Sequence, residues 1–288
     1  MKILVTGCYG QLGNEMRKVA ADHTEHQWHF TDIDRLDICD GEAVESFFTE
    51  HGIEVCVNCA AYTAVDKAED EPALATKVNV EAPIRLAESC LRHNALLIHV
   101  STDYVFDGKG ERPYREDDPT GPTSVYGQTK LDGERAIAET GCRHCIVRTA
   151  WLYSATGKNF VKTMLQLAET RDHINVVCDQ QGTPTWAYDL AQALMGLIGH
   201  YGNHPVHEVF HFTNEGVTTW DRFASAVFEI ADKPCKVNPI TTDQYPTKAT
   251  RPAYSVLDKS KIKATLGIGI PFWEDSLKAC IEELLNKQ

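Results

Sequence analysis

The sequence predicts an α/β fold with a doubly wound parallel sheet and a smaller C-terminal domain of mixed α/β structure. Three observations support this prediction. An apolar strand at the N-terminus runs into Gly7, Gly10 and Gly13, strand and helix patterns then alternate, and the alternation loosens beyond Trp151. Such alternation is typical of βαβ units, in which a helix crosses over between two parallel strands. The expected topology is therefore Rossmann-like.

Apolar runs bounded by turn residues predict the strands of the first half. These strands cover residues 2–6, 27–31, 54–59, 96–101 and 144–148, with 174–178 following. Helical periodicity fills the intervening segments. The helices are expected over residues 11–22, 41–51, 72–94 and 122–139.

In the second half the alternation of strand and helix patterns is less regular. Helices are expected over residues 160–169, 187–199, 220–232 and 273–285, with a short strand over 209–212. We therefore expect two domains, residues 1–150 and residues 151–288, with later segments returning to the first domain. The substrate should lie in the crevice between them.

The charge balance excludes two kinds of partner. Acidic residues number 41 against 28 basic residues, which gives a formal net charge of −13. This charge repels the phosphates of nucleic acids and anionic membrane surfaces. No apolar stretch reaches the ~18 residues of a membrane span, and the first strand begins without a signal-peptide pattern. A cytoplasmic location is expected.

Two Cys-x-x-Cys pairs among the ten cysteines resemble halves of a zinc site. Cys56 and Cys59 fall in a predicted strand, where residues three apart point to opposite faces. Cys145, which ends the second pair, lies in another predicted strand. We therefore expect buried, reduced thiols and no bound metal.

The three N-terminal glycines have separate physical roles. Gly7 permits a tight turn, Gly10 lets the backbone approach a pyrophosphate, and Gly13 lets the first helix lie close to the strand. Free N–H groups and the positive end of the helix dipole then attract a diphosphate. We expect residues 1–150 to bind a dinucleotide and residues 151–288 to bind mainly the substrate.

Five candidate residues directly follow predicted strands. They are Gly7, Asp32, Ala60, Thr102 and Trp151. The carboxyl ends of parallel strands meet at one edge of a sheet, so these residues should share one site. The stretch 107–123 is rich in Gly, Pro, Asp and Glu, which predicts a surface loop that covers the substrate.

Tyr126 and Lys130 are four residues apart on a predicted helix, so their side chains project from one face. A neighbouring ammonium favours the phenolate and should lower the pKa of the tyrosine from its usual value near ~10. Such a pair can give a proton to a developing alkoxide. Thr102, with Asp103 beside it, lies at the end of the strand that precedes this helix.

Together these motifs resemble those of the dTDP-4-dehydrorhamnose reductases, which are extended short-chain dehydrogenase/reductases. The spacing Gly-x-x-Gly-x-x-Gly is similar to theirs. The other similar stretches are NCAAYTAVDKAE at 58–69, STDYVFDG at 101–108, YGQTK at 126–130, RTAWLY at 148–153, and Arg251-Pro252. The resemblance covers nearly the whole chain. It implies reduction of the 4-keto group of dTDP-4-dehydro-L-rhamnose, a nucleotide-sugar substrate, by NADPH or NADH.

The resemblance also implies roles for individual residues. Tyr126 would protonate the sugar oxygen, and Lys130 would lower the pKa of Tyr126 and bind the nicotinamide ribose. Thr102 would orient the keto oxygen, with Asp103 beside it at the substrate, and Trp151 would contact the deoxysugar ring.

The implied cofactor-binding residues lie at the ends of the first four strands and on the tyrosine helix. They are Gly7, Gly10, Gln11, Leu12, Gly13, Asp32, Asp37, Ile38, Ala60, Ala61, Tyr62, Tyr126 and Lys130. A carboxylate at position 32 accepts hydrogen bonds from ribose hydroxyls and disfavours a 2′-phosphate, whereas Arg35 could hold one. Both cofactors therefore stay open.

Some relatives dimerise through magnesium held by glutamates. Here Glu15 matches one of those positions, but Tyr188 and Asp189 stand where another glutamate would be. A monomer is therefore expected, with a homodimer as the alternative. Two other functions remain open at this stage. One is a nucleotide-sugar epimerase or dehydratase, and the other is a regulatory subunit resembling that of methionine adenosyltransferase.

Overall fold

The computed structural model describes residues 1–286 of the chain. Its strands are β1 (Lys2–Thr6), β2 (Gln27–Phe30), β3 (Val55–Asn58), β4 (Leu96–Thr102), β5 (His144–Thr149), β6 (Leu152–Tyr153), β7 (His173–Val177), β8 (Gln181–Gly182), β9 (Thr185–Trp186), β10 (His207–His211), β11 (Thr218–Thr219) and β12 (Lys236–Ile240). Its helices are α1 (Gln11–Ala21), α2 (Gly41–His51), α3 (Val65–Ala68), α4 (Pro72–Thr76), α5 (Ala82–Arg92), α6 (Val125–Thr140), α7 (Phe160–Ala168), α8 (Ala187–Tyr201), α9 (Trp220–Ile230), α10 (Ser260–Leu266) and α11 (Trp273–Asn286). A π-helical turn spans Lys77–Glu81, and 3-10 turns span Asp103–Val105 and Thr242–Gln244.

The central sheet has six parallel strands in the order β10-β5-β4-β3-β1-β2. The order reverses between β1 and β3, where a crevice opens at the carboxyl ends of the strands. β3 is buried along its whole length and β4 almost so, because helices cover both faces of the sheet. The predicted α/β fold with a doubly wound parallel sheet is confirmed.

Two apolar layers hold the helices on the sheet. On one face, Met16 of α1 and Leu194 of α8 are buried against β1, β3 and β4. On the other face, Phe48 of α2 and Leu86 of α5 are buried against the opposite side chains of the same strands. Cys56 lies in the second layer, whereas Cys59 packs against the first, so these thiols point to opposite faces.

The sixth strand of the central sheet differs from the expected one. Residues 173–177 do form a strand, but β7 pairs with β12 in a separate two-stranded parallel sheet. β10 takes the place beside β5 instead, since α8 returns the chain across the sheet and packs on α1. Segments after residue 150 thus complete the sheet, and the division at residue 150 stays a prediction.

A π-helical turn interrupts the helix expected over residues 72–94. Pro83 has no N–H to donate to the carbonyl of Asn79, so regular α-helical bonding fails there. Gly133 of α6 lies against that carbonyl, and a Cβ at Gly133 would be only 2.1 Å from the oxygen. The turn therefore lets α6 approach closely and places Asn79, which is buried, beside the site described below.

A second apolar core lies under the C-terminal half. It joins α7, α9 and α11 through buried Val161, Phe223 and Leu277, and β7 adds Ile174. None of the helices within residues 1–286 is long and apolar enough to cross a membrane.

One buried ion pair ties α6 to β5. The Arg148 guanidinium donates to both carboxylate oxygens of Glu134 at 2.7–3.2 Å, and only 5% of each side chain is exposed. Arg148 also lies 5.1 Å from the centre of the Phe106 ring. Removing one partner of such a pair leaves an uncompensated buried charge.

We predict that Glu134→Ala lowers the free energy of unfolding by about 3–5 kcal/mol, because the buried Arg148 guanidinium loses the carboxylate that compensates its charge. Urea unfolding followed by fluorescence measures the loss. Asp132→Ala is the matched control on the same helix, since Asp132 lies 3.9 Å from exposed Arg135 and should cost less than about 1 kcal/mol. Equal losses in the two variants would contradict the role of the buried pair.

Candidate active site

The glycine turn at the end of β1 leaves no room for side chains. Gly7 has φ +62, and a Cβ there would lie 2.7 Å from the backbone nitrogen of Ala60. A Cβ at Gly13 would lie 2.4 Å from the carbonyl oxygen of Gly7. The backbone of α1 therefore sits directly on the turn, and no side chain of residues 1–286 caps α1 at Gly10. Backbone N–H groups at this end are thus available to a diphosphate, with Gln11 and Leu12 in the first turn.

The end of β2 lies beside this turn. One oxygen of Asp32 accepts the N–H of Tyr9 at 3.0 Å, and the other accepts the N–H of Ile33 at 2.9 Å. The carboxylate is therefore fixed next to the glycine turn. Further along, Asp37 accepts the N–H of Cys39, and Ile38 is buried against α2.

The end of β3 is held by the π-helical turn. The side chain of Asn79 accepts the N–H of Tyr62 at 2.8 Å and donates to the carbonyl of Tyr62 at 3.1 Å. It also donates to the hydroxyl of Thr129 on α6. Ala60, Ala61 and Tyr62 thereby form a fixed segment between the glycine turn and α6. Asn79 was missed by the sequence reasoning, although the helix-breaking Pro83 four residues later marks the place.

The proton-transfer residues meet where β4 ends. The Thr102 hydroxyl donates to Asp103 at 2.9 Å, and the hydroxyl of Tyr126 on α6 lies beside it. The Tyr126 ring lies edge-on to Tyr104, with 5.5 Å between ring centres. α6 begins at Ser124, whose hydroxyl accepts the N–H of Gly127. Thr102 and Tyr126 therefore present two adjacent hydroxyl groups at one point of the sheet edge.

The pKa of Tyr126 is opposite in direction to the expectation. Burial raises the pKa of the phenol above its ordinary value, and the neighbouring Thr102 hydroxyl opposes this only in part. Lys130 is directed elsewhere, since its ammonium group reaches the Val100 carbonyl at 2.7 Å and His99 Nε2 at 3.2 Å. Desolvation outweighs the effect of a cation that does not touch the phenol.

Burial also changes the two charged neighbours. It lowers the pKa of Lys130 to about 8, with Glu134 opposing the shift. It raises the pKa of Asp103 to about 6, although the bond from Thr102 opposes that change. The site thus contains three groups whose ionised forms are disfavoured, which is typical of proton-transfer sites.

Trp151 lines a cleft of about 1070 Å³ between α7, β7 and the segment 240–252. It has φ +49, and its indole stacks on Trp220 with 3.6 Å between ring centres. Gly182 makes room for it, because a Cβ at Gly182 would lie 2.5 Å from the indole. Trp220 was missed by the sequence reasoning, which treated the segment from 220 only as a helix.

Cations line the opposite wall of the cleft. Arg251 donates to Asp66 at 2.6 Å and to the Tyr104 hydroxyl at 3.3 Å, and Lys248 pairs with Asp70. The Ala249 N–H also donates to Asp66 at 3.1 Å. Two ion pairs therefore connect the segment 248–251 to Asp66 of α3 and to Asp70 after it. An anionic ligand could replace these two carboxylates as the partner of Arg251 and Lys248.

The loop over residues 107–123 is anchored rather than loose. Tyr114 donates to Asp107 at 2.7 Å and pairs in a β-bridge with Leu257, and Glu116 accepts the N–H of His211 at 3.1 Å. That this loop covers the substrate stays a prediction.

Glu15 on α1 is buried and contacts a cation of the chain itself. Lys18 lies 2.6 Å from Glu15 and 2.5 Å from Glu283 of α11. Asp189 accepts bonds from Asn214 and Ser276. Within residues 1–286, no group of three or more His, Cys, Asp or Glu side chains is placed to hold a metal ion.

A dinucleotide turn on β1, a Thr–Tyr–Lys group on β4 and α6, and an adjoining cleft define a short-chain dehydrogenase/reductase. The family model described as RmlD substrate binding domain matches residues 1–286, and the chain belongs to that family.

The relatives agree along the whole chain. A dTDP-4-dehydrorhamnose reductase of Streptomyces griseus is 49% identical, with 99% of this chain and 94% of that protein covered. The crystal structure of a dTDP-4-dehydrorhamnose reductase from Clostridium acetobutylicum superposes with TM-score 0.94 at 42% identity, covering 99% of this chain and all of that one. A Bacillus anthracis dTDP-4-dehydrorhamnose reductase in complex with NADP gives TM-score 0.93 at 34% identity, covering 98% and 99%. The expected resemblance to dTDP-4-dehydrorhamnose reductases and the expected nicotinamide-dependent oxidoreductase are confirmed.

We predict that Asp103 makes stability depend on pH. Its folded pKa of about 6 lies above the ordinary 3.8, so its ionisation destabilises the fold as the pH rises through this window. Relative to wild type, Asp103→Asn should therefore gain roughly 3 kcal/mol in free energy of unfolding between acid and neutral pH. Urea unfolding of both proteins across this range measures the gain.

Asp107→Asn is the matched control. The N–H of Lys109 and the hydroxyl of Tyr114 hold the pKa of Asp107 below its usual value, so this carboxylate stabilises the fold when it is ionised. Its variant should lose stability relative to wild type as the pH rises. A common slope for both variants would show that Asp103 is not the group responsible.

Proposed function

We propose that this protein catalyses the NAD(P)H-dependent reduction of the 4-keto group of dTDP-4-dehydro-L-rhamnose, giving dTDP-L-rhamnose. Membership of the family and relatives of that name support the substrate. The observation that carries the chemistry is the pair of adjacent hydroxyl groups on Thr102 and Tyr126, beside a buried lysine at the carboxyl edge of the sheet.

The residues present fit a dinucleotide. Gly7 and Gly13 let Ala60 and the start of α1 lie directly against the turn, where a Cβ would collide with backbone, and the uncapped start of α1 offers N–H groups to a diphosphate. Asp32 would accept the hydroxyl groups of the adenosine ribose, and Ala60 to Tyr62 would lie along the rest of the cofactor. The bound cofactor supplies a hydride from nicotinamide C4. NADPH and NADH both fit this account.

The reduction needs a proton at the keto oxygen while hydride adds to the carbonyl carbon. Thr102 donates to that oxygen and orients it, and Tyr126 gives up its hydroxyl proton, so the carbonyl becomes a hydroxyl group. A phenol whose pKa is raised by burial holds its proton until an alkoxide, a stronger base, forms beside it. In the structure this hydroxyl donates to Asp103, and because it has one proton it turns from that carboxylate to the keto oxygen when the sugar binds.

The cleft suits a sugar joined to a diphosphate. The stacked indoles of Trp151 and Trp220 offer an apolar face to the deoxysugar ring. Arg251 and Lys248 bring positive charge into a protein whose net charge is negative, and a diphosphate would replace Asp66 and Asp70 as their partner.

We place the enzyme in the cytoplasm, because nicotinamide cofactors and nucleotide sugars are found there and all ten cysteines are free thiols. We also propose that it acts as a monomer. The ammonium group of Lys18 contacts both Glu15 and Glu283. This supports a monomer, because a cation of the same chain then lies where a magnesium ion held by glutamates would join two chains.

We predict that Tyr126→Phe lowers kcat by at least about a hundredfold with the fold intact, because the proton donor is lost and the ring stays. Nicotinamide absorbance, with dTDP-4-dehydro-L-rhamnose made in situ, measures the rate with NADPH and with NADH. Tyr201→Phe is the control, since Tyr201 lies on α8 outside the cleft. Turnover that persists in Tyr126→Phe would remove Tyr126 from the mechanism.

We predict that Arg251→Met raises KM for the nucleotide sugar about 10- to 100-fold, because a charge-assisted bond to the diphosphate is lost. The value of kcat should change little, since Arg251 does not touch the reacting atoms. Lys261→Met removes the same charge from an exposed pair with Glu208 and should leave KM unchanged. Equal KM values for both variants and wild type would exclude Arg251 from substrate binding.

A further inference from the structure

Four buried polar side chains form a continuous chain that ends on the lysine of the active site. The Thr6 hydroxyl donates to Asn58 at 2.7 Å, Asn58 Nδ2 lies 3.0 Å from His99 Nδ1, and His99 Nε2 lies 3.2 Å from Lys130 Nζ. Each of these residues is 1% exposed. The chain crosses three neighbouring strands, β1, β3 and β4, and reaches α6.

The orientation of the Asn58 amide is fixed by the backbone. The N–H of Ala60 can only donate, and it points to Asn58 Oδ1 at 3.2 Å. Oδ1 is therefore the acceptor, and it also receives the Thr6 hydroxyl. The NH₂ group of Asn58 must then face His99, so His99 Nδ1 accepts a hydrogen bond.

This orientation fixes the tautomer of His99. A neutral imidazole that accepts at Nδ1 carries its proton on Nε2. Protonating His99 at Nδ1 would set two donors against each other at 3.0 Å. Burial, with Lys130 and His144 nearby, also lowers the pKa of His99 well below its ordinary value. His99 thus presents an N–H group to Lys130.

We propose that His99, oriented by Asn58, is a positioning residue that donates its Nε2–H to the amine of Lys130 and so disfavours the protonated form of that lysine. A neutral amine accepts this hydrogen with its lone pair while it donates to the Val100 carbonyl at 2.7 Å. An ammonium group has no lone pair and meets the imidazole N–H as a second donor.

The consequence for the reaction rests on the proposed function. An ammonium of ordinary pKa near ~10.4 gives up its proton reluctantly at neutral pH, whereas one with a lower pKa can exchange it during turnover. His99 thereby makes the Lys130 proton available to the site in which Tyr126 is the donor. Burial lowers the pKa of Lys130 to about 8, and the His99 N–H acts in the same direction as burial.

Other ionisable groups face this chain. Glu134, one turn along α6, raises the pKa of Lys130, but its charge is shared with Arg148 of β5. Asp103, after β4, acts on Tyr126. His144 of β5 acts on His99. On the other elements packed against α6, the Tyr104 phenol lies against Tyr126 and the Cys90 thiol of α5 is buried. The acidic, lysine and arginine side chains of these elements lie toward solvent or at the first turn of α6. They are Asp66, Lys67 and Glu69 of α3 and its end, Lys77 and Glu81 of the π-helical turn, and Arg85, Glu88 and Arg92 of α5.

The test measures the pKa of Lys130 directly in the protein without cofactor or sugar. The protein is labelled with ¹³C at lysine Cε, the Lys130 signal is assigned with Lys130→Arg, and its shift is followed from about pH 6 to 11. Asn58→Asp reverses the direction of the hydrogen bond between residue 58 and His99, because a carboxylate accepts from Thr6, Ala60 and His99 together. The His99 proton then moves to Nδ1, and its Nε2 lone pair faces Lys130. The pKa of Lys130 should rise by about one unit or more, which is tenfold in proton affinity.

His99→Asn tests the same point without adding charge. The Asn side chain keeps an acceptor for Asn58 and removes the N–H at Lys130, so the pKa of Lys130 should again rise. His144→Asn is the matched control, because His144 is a buried histidine on the next strand that bonds to the Cys142 carbonyl. It should leave the pKa of Lys130 unchanged.

A rise in both Asn58→Asp and His99→Asn, with none in His144→Asn, would support the proposal. No rise in His99→Asn would overturn it, since a rise in Asn58→Asp alone reports only the added charge. NADPH affinity against pH, from nicotinamide fluorescence, is the second readout. Its basic midpoint should move upward in both variants, whereas a purely structural role would weaken binding equally at every pH. Neither readout uses the sugar, so a failure here is distinct from a failure of the proposed reduction.

Discussion

The burial of Lys130 is the constraint on which the rest of the site depends. A buried ammonium or amine must find partners, and Lys130 finds them on β4, at the Val100 carbonyl and His99. These bonds fix the rotation and height of α6 against the sheet. Tyr126, one turn earlier on the same face, is thereby brought to Thr102 at the end of β4. The proton donor is placed by a lysine that it does not touch.

Much of the fold could be predicted from the sequence, because parallel strands buried on both faces and amphipathic helices leave strong local patterns. β1 and α2 have the expected bounds, and each end of the other strands of the first half lies within one residue of its expected position. The partner of β7 could not be predicted, since pairing with β12 depends on contacts distant in sequence. The break before α5 required both Pro83 and the approach of Gly133.

The sequence predicts which residues lie at the site, but it predicts less well which of them interact with each other. Residues that follow parallel strands must share an edge, so Gly7, Asp32, Ala60 and Thr102 meet there. The direction of the Tyr126 pKa depends on how deeply the ring is buried and on where Lys130 points, and neither is visible in a Tyr-x-x-x-Lys spacing. His99 left one signal, a lone histidine within an apolar strand.

The most direct test of the central claim, that this site delivers hydride to a keto sugar, follows the hydride itself. NADPH carrying deuterium at both hydrogen positions of nicotinamide C4 is incubated with the enzyme and dTDP-4-dehydro-L-rhamnose, and the sugar product is examined by NMR and mass spectrometry. The account predicts one deuterium at sugar C4 for each NADPH oxidised. Product without deuterium, or sugar turnover without net NADPH oxidation, would contradict the account and point to an epimerase or dehydratase that recycles its cofactor.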